Sequence, residues 1–281
     1  MKYPRALQVL THSPGTMVGV SLVVVHVIST LFAPLLIPFE VTKIAGPVLL
    51  SPGSVEHWLG TDNIGRDYLS RLLMGGRTSI FVAMVAITIA IIFASLIAIS
   101  AAYIGGIYDD VLMRIVDTKL AIPGILFIAL IVTGFGRSIL ALIVAISLSY
   151  LPGAIRIIRS HALTIIPLGF VETAKLRGDS LYKIIWNELV PNCQEIIAVE
   201  FALRMSSSIL TVSALSFLGL GISPPTPDWG LMISEGVKNI HTHTWLVLFP
   251  AAFISSLVIG LNLASDGLAN ALGLDAARGI N

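Results

Sequence analysis

Long apolar runs, all but one of them uncharged, alternate along this chain with shorter polar and charged stretches, and that alternation predicts its elements. The apolar runs fall at residues 15–37, 80–104, 120–135, 138–155, 196–222 and 244–265. A bilayer core about 30 Å thick needs roughly 20 apolar residues per helix. Most of these runs are long enough, and the short one at 120–135 needs help from its flanks. The expected architecture is therefore all-α and integral to a membrane, with six transmembrane helices. Lys2 and Arg5 ahead of the first run also fit a cleaved signal, but no small-x-small cleavage site follows, so it reads as an uncleaved span. Ala86, Ala90, Ala94, Ala98 and Ala102 recur every fourth residue in the second run, a ridge of small side chains that lets a neighbouring helix pack closely. No internal repeat is evident.

The polar stretches supply the remaining segments. Residues 1–14 and 271–281 read as tails, and 38–77, with Pro38, Pro47 and Pro52, as an extended loop in which Asp67 to Met74 forms a short interfacial helix. Residues 78–270 make the core, with a polar connection at 105–119 and a charged one at 156–192. Within the latter, Pro167 to Asn192 predicts two short helices with a hinge. Pro167 suits a first helical turn. Phe170, Val171 and Ala174 share a face that largely excludes Glu172, Lys175 and Arg177. Gly178 permits the left-handed backbone that ends a helix, and Asp179 or Ser180 caps the next. Leu181, Ile184, Ile185 and Leu189 form its apolar stripe before Pro191 stops it.

Composition agrees with this reading and excludes several functions. The chain is 56% hydrophobic and 12% charged, with mean hydropathy +0.92, where soluble domains average about 25% charged residues. Net charge is +1, which argues against nucleic acid as a partner. The single cysteine, Cys193, forms neither an internal disulfide nor a CxxC site. No GxxxxGK[ST] phosphate loop occurs, so if ATP drives this chain, another chain binds it. No catalytic serine–histidine–acid motif and no HExxH is present, and a membrane enzyme is set aside on that ground.

Several motifs carry a resemblance. Glu172-Thr173-Ala174, with Gly178 six residues after the glutamate and Pro191 thirteen after the glycine, resembles the EAA loop of the membrane subunits of bacterial ABC importers. Thr173 replaces that family's middle alanine, and Glu188 and Val190 replace its usual isoleucine and leucine. The stretch His57 to Ser79, with GTD-x-x-GRD and then S-R-L, and the ending FLGLGISPPTPDWG both resemble the peptide/nickel branch of those permeases, in its dipeptide/oligopeptide permease C-type members. Asp266-Gly267-Leu268 is similar to that branch's tail, with Asn270 where the family has arginine. The resemblance implies a MetI-like ABC importer permease with cytoplasmic coupling helices at 167–192, in the bacterial inner membrane. It implies as partners a second, homologous permease, two ATP-binding subunits and an extracytoplasmic substrate-binding protein. It implies no cofactor here, ATP and Mg lying on the partner subunits. The implied cargo is dipeptides or oligopeptides, or alternatively nickel or metal chelates. Glu172, Thr173, Ala174, Gly178 and Pro191 would couple the chain to the ATPase.

With both termini inside, cytoplasmic segments hold ten basic residues and external loops six, Arg204 within a span being left out, which accords with the positive-inside rule and puts the coupling loop in the cytosol. Glu200 and Arg204 stand four apart on the fifth span and can pair. Intramembrane charges usually face a protein interior or a water-filled path, so this helix, with Ser207 and Thr211, either lines a translocation route or holds an ion pair against a sister subunit. His241-x-His243, near Glu235, has metal-like spacing but too few ligands, and His26 in the first span reads as a hydrogen-bonded packing residue. The competing class is a gradient-driven secondary transporter using Glu200 and Arg204 as a relay. Such proteins show inverted repeats and broken helices, and the sequence displays neither.

Overall fold

A computed structural model describes residues 13–271; the tails expected at 1–14 and 271–281 fall almost wholly outside them. Helix α1, Pro14–Leu31, continues in a single turn, Ala33–Leu36. An irregular segment leads to α2, Tyr68–Ile104, then α3, Gly106–Leu120, and α4, Gly124–Phe135. Helix α5 is Ile139–Ile165 and α6 Gly169–Leu176. Helix α7 spans Leu181–Phe217 with a π-helical turn at Ile185–Leu189, followed by α8, Trp229–Val237, and α9, Trp245–Ala271. Among the described residues five helices are long and apolar enough to cross a membrane, six if α3 and α4 count as one broken span.

Several boundaries differ from expectation, among them the fourth span, which runs on to Ile165 through the first ten residues of the charged stretch. Residues 68–77, expected in the loop, belong to α2, because Asp67 caps the helix directly by accepting from the Ser70 amide at 2.8 Å. There is no separate interfacial helix at Asp67 to Met74. The polar stretch 105–119 is helical, and with α4 it forms a broken span bent by 87°. The cause is Pro123, which disfavours helical backbone at the preceding Ile122. At 12 residues, α4 alone is only about 18 Å long. A broken helix therefore exists here, so the absence of one no longer counts against the secondary-transporter reading. The fifth span stops at Phe217 rather than at the prolines. Gly219, at φ +74°, and Leu220 return their amides to Ser216 and Leu215, a left-handed helix ending that satisfies the last carbonyls.

Helices α2 and α5 run parallel along a shared seam, and the five ridge alanines of α2 are all buried. Val82, Ala83 and Ala86 join an apolar core with Leu142, Ile146, Ile209, Val212 and Trp229. Ile87, Ala94, Ala98 and Ala102 join a second core with Ala154, Ile158, Val171, Ala174 and Leu189. Both cores thus meet on α2. Between α1 and α9, His26 Nε2 lies 2.8 Å from Ser256 Oγ and its ring packs edge-on against Trp229 and Phe253, the packing role expected of it.

At the start of α2 the segment Asp62–Arg71 folds into a buried ion network. Arg66 Nε donates to Asp62 at 2.6 Å, and Arg71 Nη2 donates to Glu235 of α8 at 2.8 Å. His57 Nδ1 lies 2.9 Å from Asp67. Glu235 is therefore committed to arginines rather than to His241 or His243. Arg71 is 1% exposed and its other carboxylate, Asp62, stands at 3.4 Å and is shared with Arg66, so removing Glu235 leaves a buried charge poorly compensated, at a cost of about 3 kcal/mol. Glu235→Ala should lower the thermal stability of the detergent-solubilised protein sharply, read by fluorescence size-exclusion after heating. The double change Arg71→Met with Glu235→Met should recover most of the loss.

Candidate functional site

At the opposite end of the bundle, α5 passes through a tight connection into α6. Pro167 lies in that connection and not in the first helical turn, since Leu168 precedes the helix. Val171 and Ala174 are fully buried, packed with the start of α7 in the core that residues of α2 and α5 also join, while Glu172, Thr173, Lys175 and Arg177 are exposed, as the apolar stripe predicts. Glu172 sits in the first turn of α6, where its charge complements the helix dipole. The Thr173 hydroxyl donates to the Gly169 carbonyl at 2.7 Å, satisfying itself within the helix.

Gly178, at φ +75°, ends α6. Its amide donates to the Lys175 carbonyl and the Asp179 amide to that of Ala174. Of the two expected caps the structure uses Ser180, whose hydroxyl accepts from the Lys183 amide at 3.4 Å. Asp179 instead receives the Lys183 ammonium and, at 2.9 Å, Arg177 Nη2. Those partners, Lys183 first, hold its carboxyl below the usual range. The arrangement is intact above the ordinary carboxylate pKa and is lost only as pH falls through the depressed value. Arg177 also donates to Glu188 at 3.1 Å, tying the end of α6 to the π-helical turn of α7.

Pro191 was expected to stop the second helix, and it does not. Leu181–Phe217 is one helix, wound as a π-helix over Ile185–Leu189, just before the proline. Widening the backbone there lets the chain carry a residue without an amide hydrogen. The Asn192 side chain donates to the Glu188 carbonyl at 2.6 Å. Ile184, Ile185 and Leu189 are buried as the stripe predicts, whereas Leu181 is 49% exposed. Sequence reasoning missed the outer face of this segment. Leu176 is 84% exposed and Tyr182 70%, beside the half-covered Trp186, an apolar surface at the tip of the turn. Their signal was their position off the buried stripe.

The expected residues on α7 share one face, at spacings of four, three and four. Glu200 is buried, and its carboxylate accepts from Arg204 Nε at 2.8 Å and Nη2 at 2.6 Å. Arg204 Nη1 also approaches the Tyr150 carbonyl of α5 at 3.4 Å. Ser207 is exposed, and Thr211 meets the Tyr150 hydroxyl at 2.8 Å. Thr211 and Tyr150 border a half-open cavity of about 370 Å³ at the α3–α4 elbow. Among the described residues no group of three or more His, Cys, Asp or Glu is placed to hold a metal ion.

A bundle of membrane-length helices, one of them broken, with a hinged helical turn at one end, defines a multi-pass membrane protein. The chain belongs to the family of binding-protein-dependent transport system inner membrane components, which residues 90–275 match. It is 35% identical over 268 residues to the dipeptide transport system permease protein DppC of Alkalihalophilus pseudofirmus, covering 95% of this chain and 88% of that one. It is 32% identical over 280 residues to the di/tripeptide transport system permease protein DppC of Pseudomonas aeruginosa, covering 96% and 92%. With the glutathione transport system permease protein GsiD of Pectobacterium atrosepticum it shares 33% over 242 residues, covering 86% and 80%. The resemblance read from the motifs is thereby shown, and with it membership of the ABC importer permeases.

Removing the Ser180 cap should loosen the turn without unfolding the bundle. Ser180→Ala should cost about 1 kcal/mol, and the amides of Leu181 to Lys183 should exchange hydrogen several-fold faster by mass spectrometry.

Proposed function

We infer that this chain is one permease subunit of an ATP-driven importer of dipeptides or oligopeptides. It forms half of the translocation path beside a second, homologous permease. Two ATP-binding subunits hold ATP and Mg and carry out hydrolysis, and a substrate-binding protein delivers cargo from outside. The observation that carries the reading is the turn Gly169 to Leu189. It shows apolar side chains at its tip and is packed through Val171, Ala174 and Leu189 into the core shared by α2 and α5. A surface of that kind suits a soluble partner, and its rooted base turns the partner's closure into rigid-body movement of the spans. The peptide cargo is supported by the named transport of the relatives.

In this reading both termini and the turn face the cytosol, and the Asp62–Arg71 network faces outward. Glu172, Thr173, Ala174 and Gly178 shape the surface that docks in the ATPase, and Pro191 sets the π-helical turn that aims α7. The face of α7 bearing Glu200, Arg204, Ser207 and Thr211 borders the path, with the Glu200–Arg204 pair holding its wall against α5.

A valine at Gly178 must adopt a left-handed backbone, which costs at least 1–2 kcal/mol, or move the turn. Gly178→Val should abolish uptake and reduce co-purification of the ATPase while the chain stays in the membrane. Undiminished uptake and co-purification would remove the coupling role. Arg204→Ala in the assembled complex should lower uptake several-fold, and unchanged uptake would exclude α7 from the path. In a strain lacking its own peptide importers, the complete system should accumulate labelled dipeptide. Accumulation of nickel but not peptide would reverse the substrate reading.

A further inference from the structure

Charged side chains within the helices are handled in two ways. Arg159 pairs with Asp109, Arg156 with Asp117 and Arg204 with Glu200, each basic group meeting a carboxylate. Of the helical basic residues without a carboxylate, Arg77, Arg114 and Lys175 are exposed, whereas Lys119, the next-to-last residue of α3, is half-buried. Its ammonium donates to the Ser149 carbonyl at 2.6 Å and approaches Ser149 Oγ at 3.2 Å, and it lies 4.7 Å from the centre of the Phe127 ring. Among the described residues no carboxylate stands within ion-pair distance of it. All its close partners are neutral, so its hydrogen bonds are met by dipoles and no carboxylate offsets it.

Its place in the fold is deep. Helix α3 leaves the α6 end of the bundle and climbs antiparallel to α5. The contacts Asp109–Arg159, Asp117–Arg156 and Lys119–Ser149 mark successive levels. Ser149 is the eleventh residue of the 27 in α5, about 15 Å from its start, so the ammonium sits near mid-height. There it borders the elbow cavity with Ser149, Tyr150 and Thr211. The other walls come from the elbow and α4: Leu120, Ile122, Pro123, Gly124, Ile125 and Ile128. The volume, about 370 Å³, lies in the range of small-molecule sites, roughly 300–1,000 Å³. The lining holds one cation, three hydroxyl groups and no acid. Ionisable groups at membrane depth are costly, settle on one another or on backbone carbonyls as Lys119 does, and commonly mark substrate paths, and a visiting anion would find here a cation with no carboxylate of its own.

We propose that Lys119 is the group on this chain that meets the terminal carboxylate of a peptide as it crosses, the cavity at the α3–α4 elbow being its resting place. The assignment rests on the peptide reading above and goes beyond it by naming a residue and the end of the substrate it reads. Each free dipeptide carries that carboxylate whatever its side chains, so one lysine serves many sequences. The hydroxyl groups of Ser149, Tyr150 and Thr211 supply adaptable hydrogen bonds to the amide. A purely structural alternative is that Lys119 only staples α3 to α5 and Phe127.

The test uses the full importer, with its partner permease, ATPases and binding protein, in vesicles. The probes are labelled alanyl-alanine and alanyl-alanine amide, whose neutral side chains confine the anion to the terminus. Because the binding protein is common to all variants, its own preference cancels in the comparison. Lys119→Met should lower uptake of the free acid at least tenfold and shrink the acid-to-amide ratio toward one, while Lys119→Arg restores most of that ratio. If Lys119→Met loses uptake of both probes equally, or leaves the ratio as in the native complex, the lysine is a staple and the proposal fails. Should that variant not assemble, Thr211→Phe fills the same cavity from α7. It should block uptake of both probes in a co-purifying complex, and normal uptake would take the cavity off the path. If the native complex accumulates neither probe, the peptide reading itself falls, and this inference with it.

Discussion

Close packing of α2 against α5 is the contact on which the rest of the molecule depends. Lipid tails are as apolar as the side chains they would replace, so no hydrophobic driving force holds helices together inside a bilayer, and short-range packing must do so. The buried ridge of alanines from Ala86 to Ala102 lets the two backbones approach along several turns. Ser147 of α5 donates to the Ala86 carbonyl at 2.9 Å, a polar bond that this closeness allows. Helix α2 has 37 residues and so is about 55 Å long. Its ends therefore carry two distant features on one rigid rod. Arg71 anchors the ion network at one end, and Tyr103 packs under Lys175 of α6 at the other, 5.1 Å from ring centre to ammonium.

Rigidity also explains the continuous course of α7. Had the chain broken at Pro191, the turn would hang from the bundle on a flexible joint. The π-helical turn at Ile185–Leu189 keeps one axis from the exposed tip to the far end of the bundle. Arg177, reaching both Asp179 and Glu188, braces α6 against that axis. In the proposed coupling, a push on Leu176 or Tyr182 would reach the helix that carries Arg204 and Thr211. Bistable packing, rather than bending, is how such displacement becomes a change of state.

Charge placement follows the dielectric. Where a carboxylate is within reach, the basic groups of α5 and α7 take it, since an unpaired charge in a low-dielectric interior is costly. The elbow between α3 and α4 is the exception. Breaking the span at Pro123 opens a cavity, exposes the polar edges of Ser149, Tyr150 and Thr211 to it, and leaves Lys119 among neutral dipoles. A helix broken at mid-height is tolerated only where the freed backbone borders protein or a cavity. The break and the lysine thus belong to one feature.

Periodicity and composition by themselves determined that this is an all-helical membrane chain. They also determined the buried stripe Val171–Ala174, the left-handed turn at Gly178 and the pairing of Glu200 with Arg204, because each depends on residues within four positions of one another. The motif spacings placed the chain among its relatives for the same reason, being local patterns. What the tertiary structure alone decided was the fate of the prolines and the unpaired charge. Pro191 is absorbed into a helix because neighbouring packing holds the axis on both sides, whereas Pro123 breaks one. The sequence 105–119 reads as a loop because its charges are dense, and it is helical because Asp109 and Asp117 find Arg159 and Arg156 about 40 to 50 residues away. Likewise Glu235 stands near two histidines along the chain, yet in space it belongs to Arg66 and Arg71. Long-range partners of this kind follow from which helices lie side by side, and local sequence patterns do not encode that.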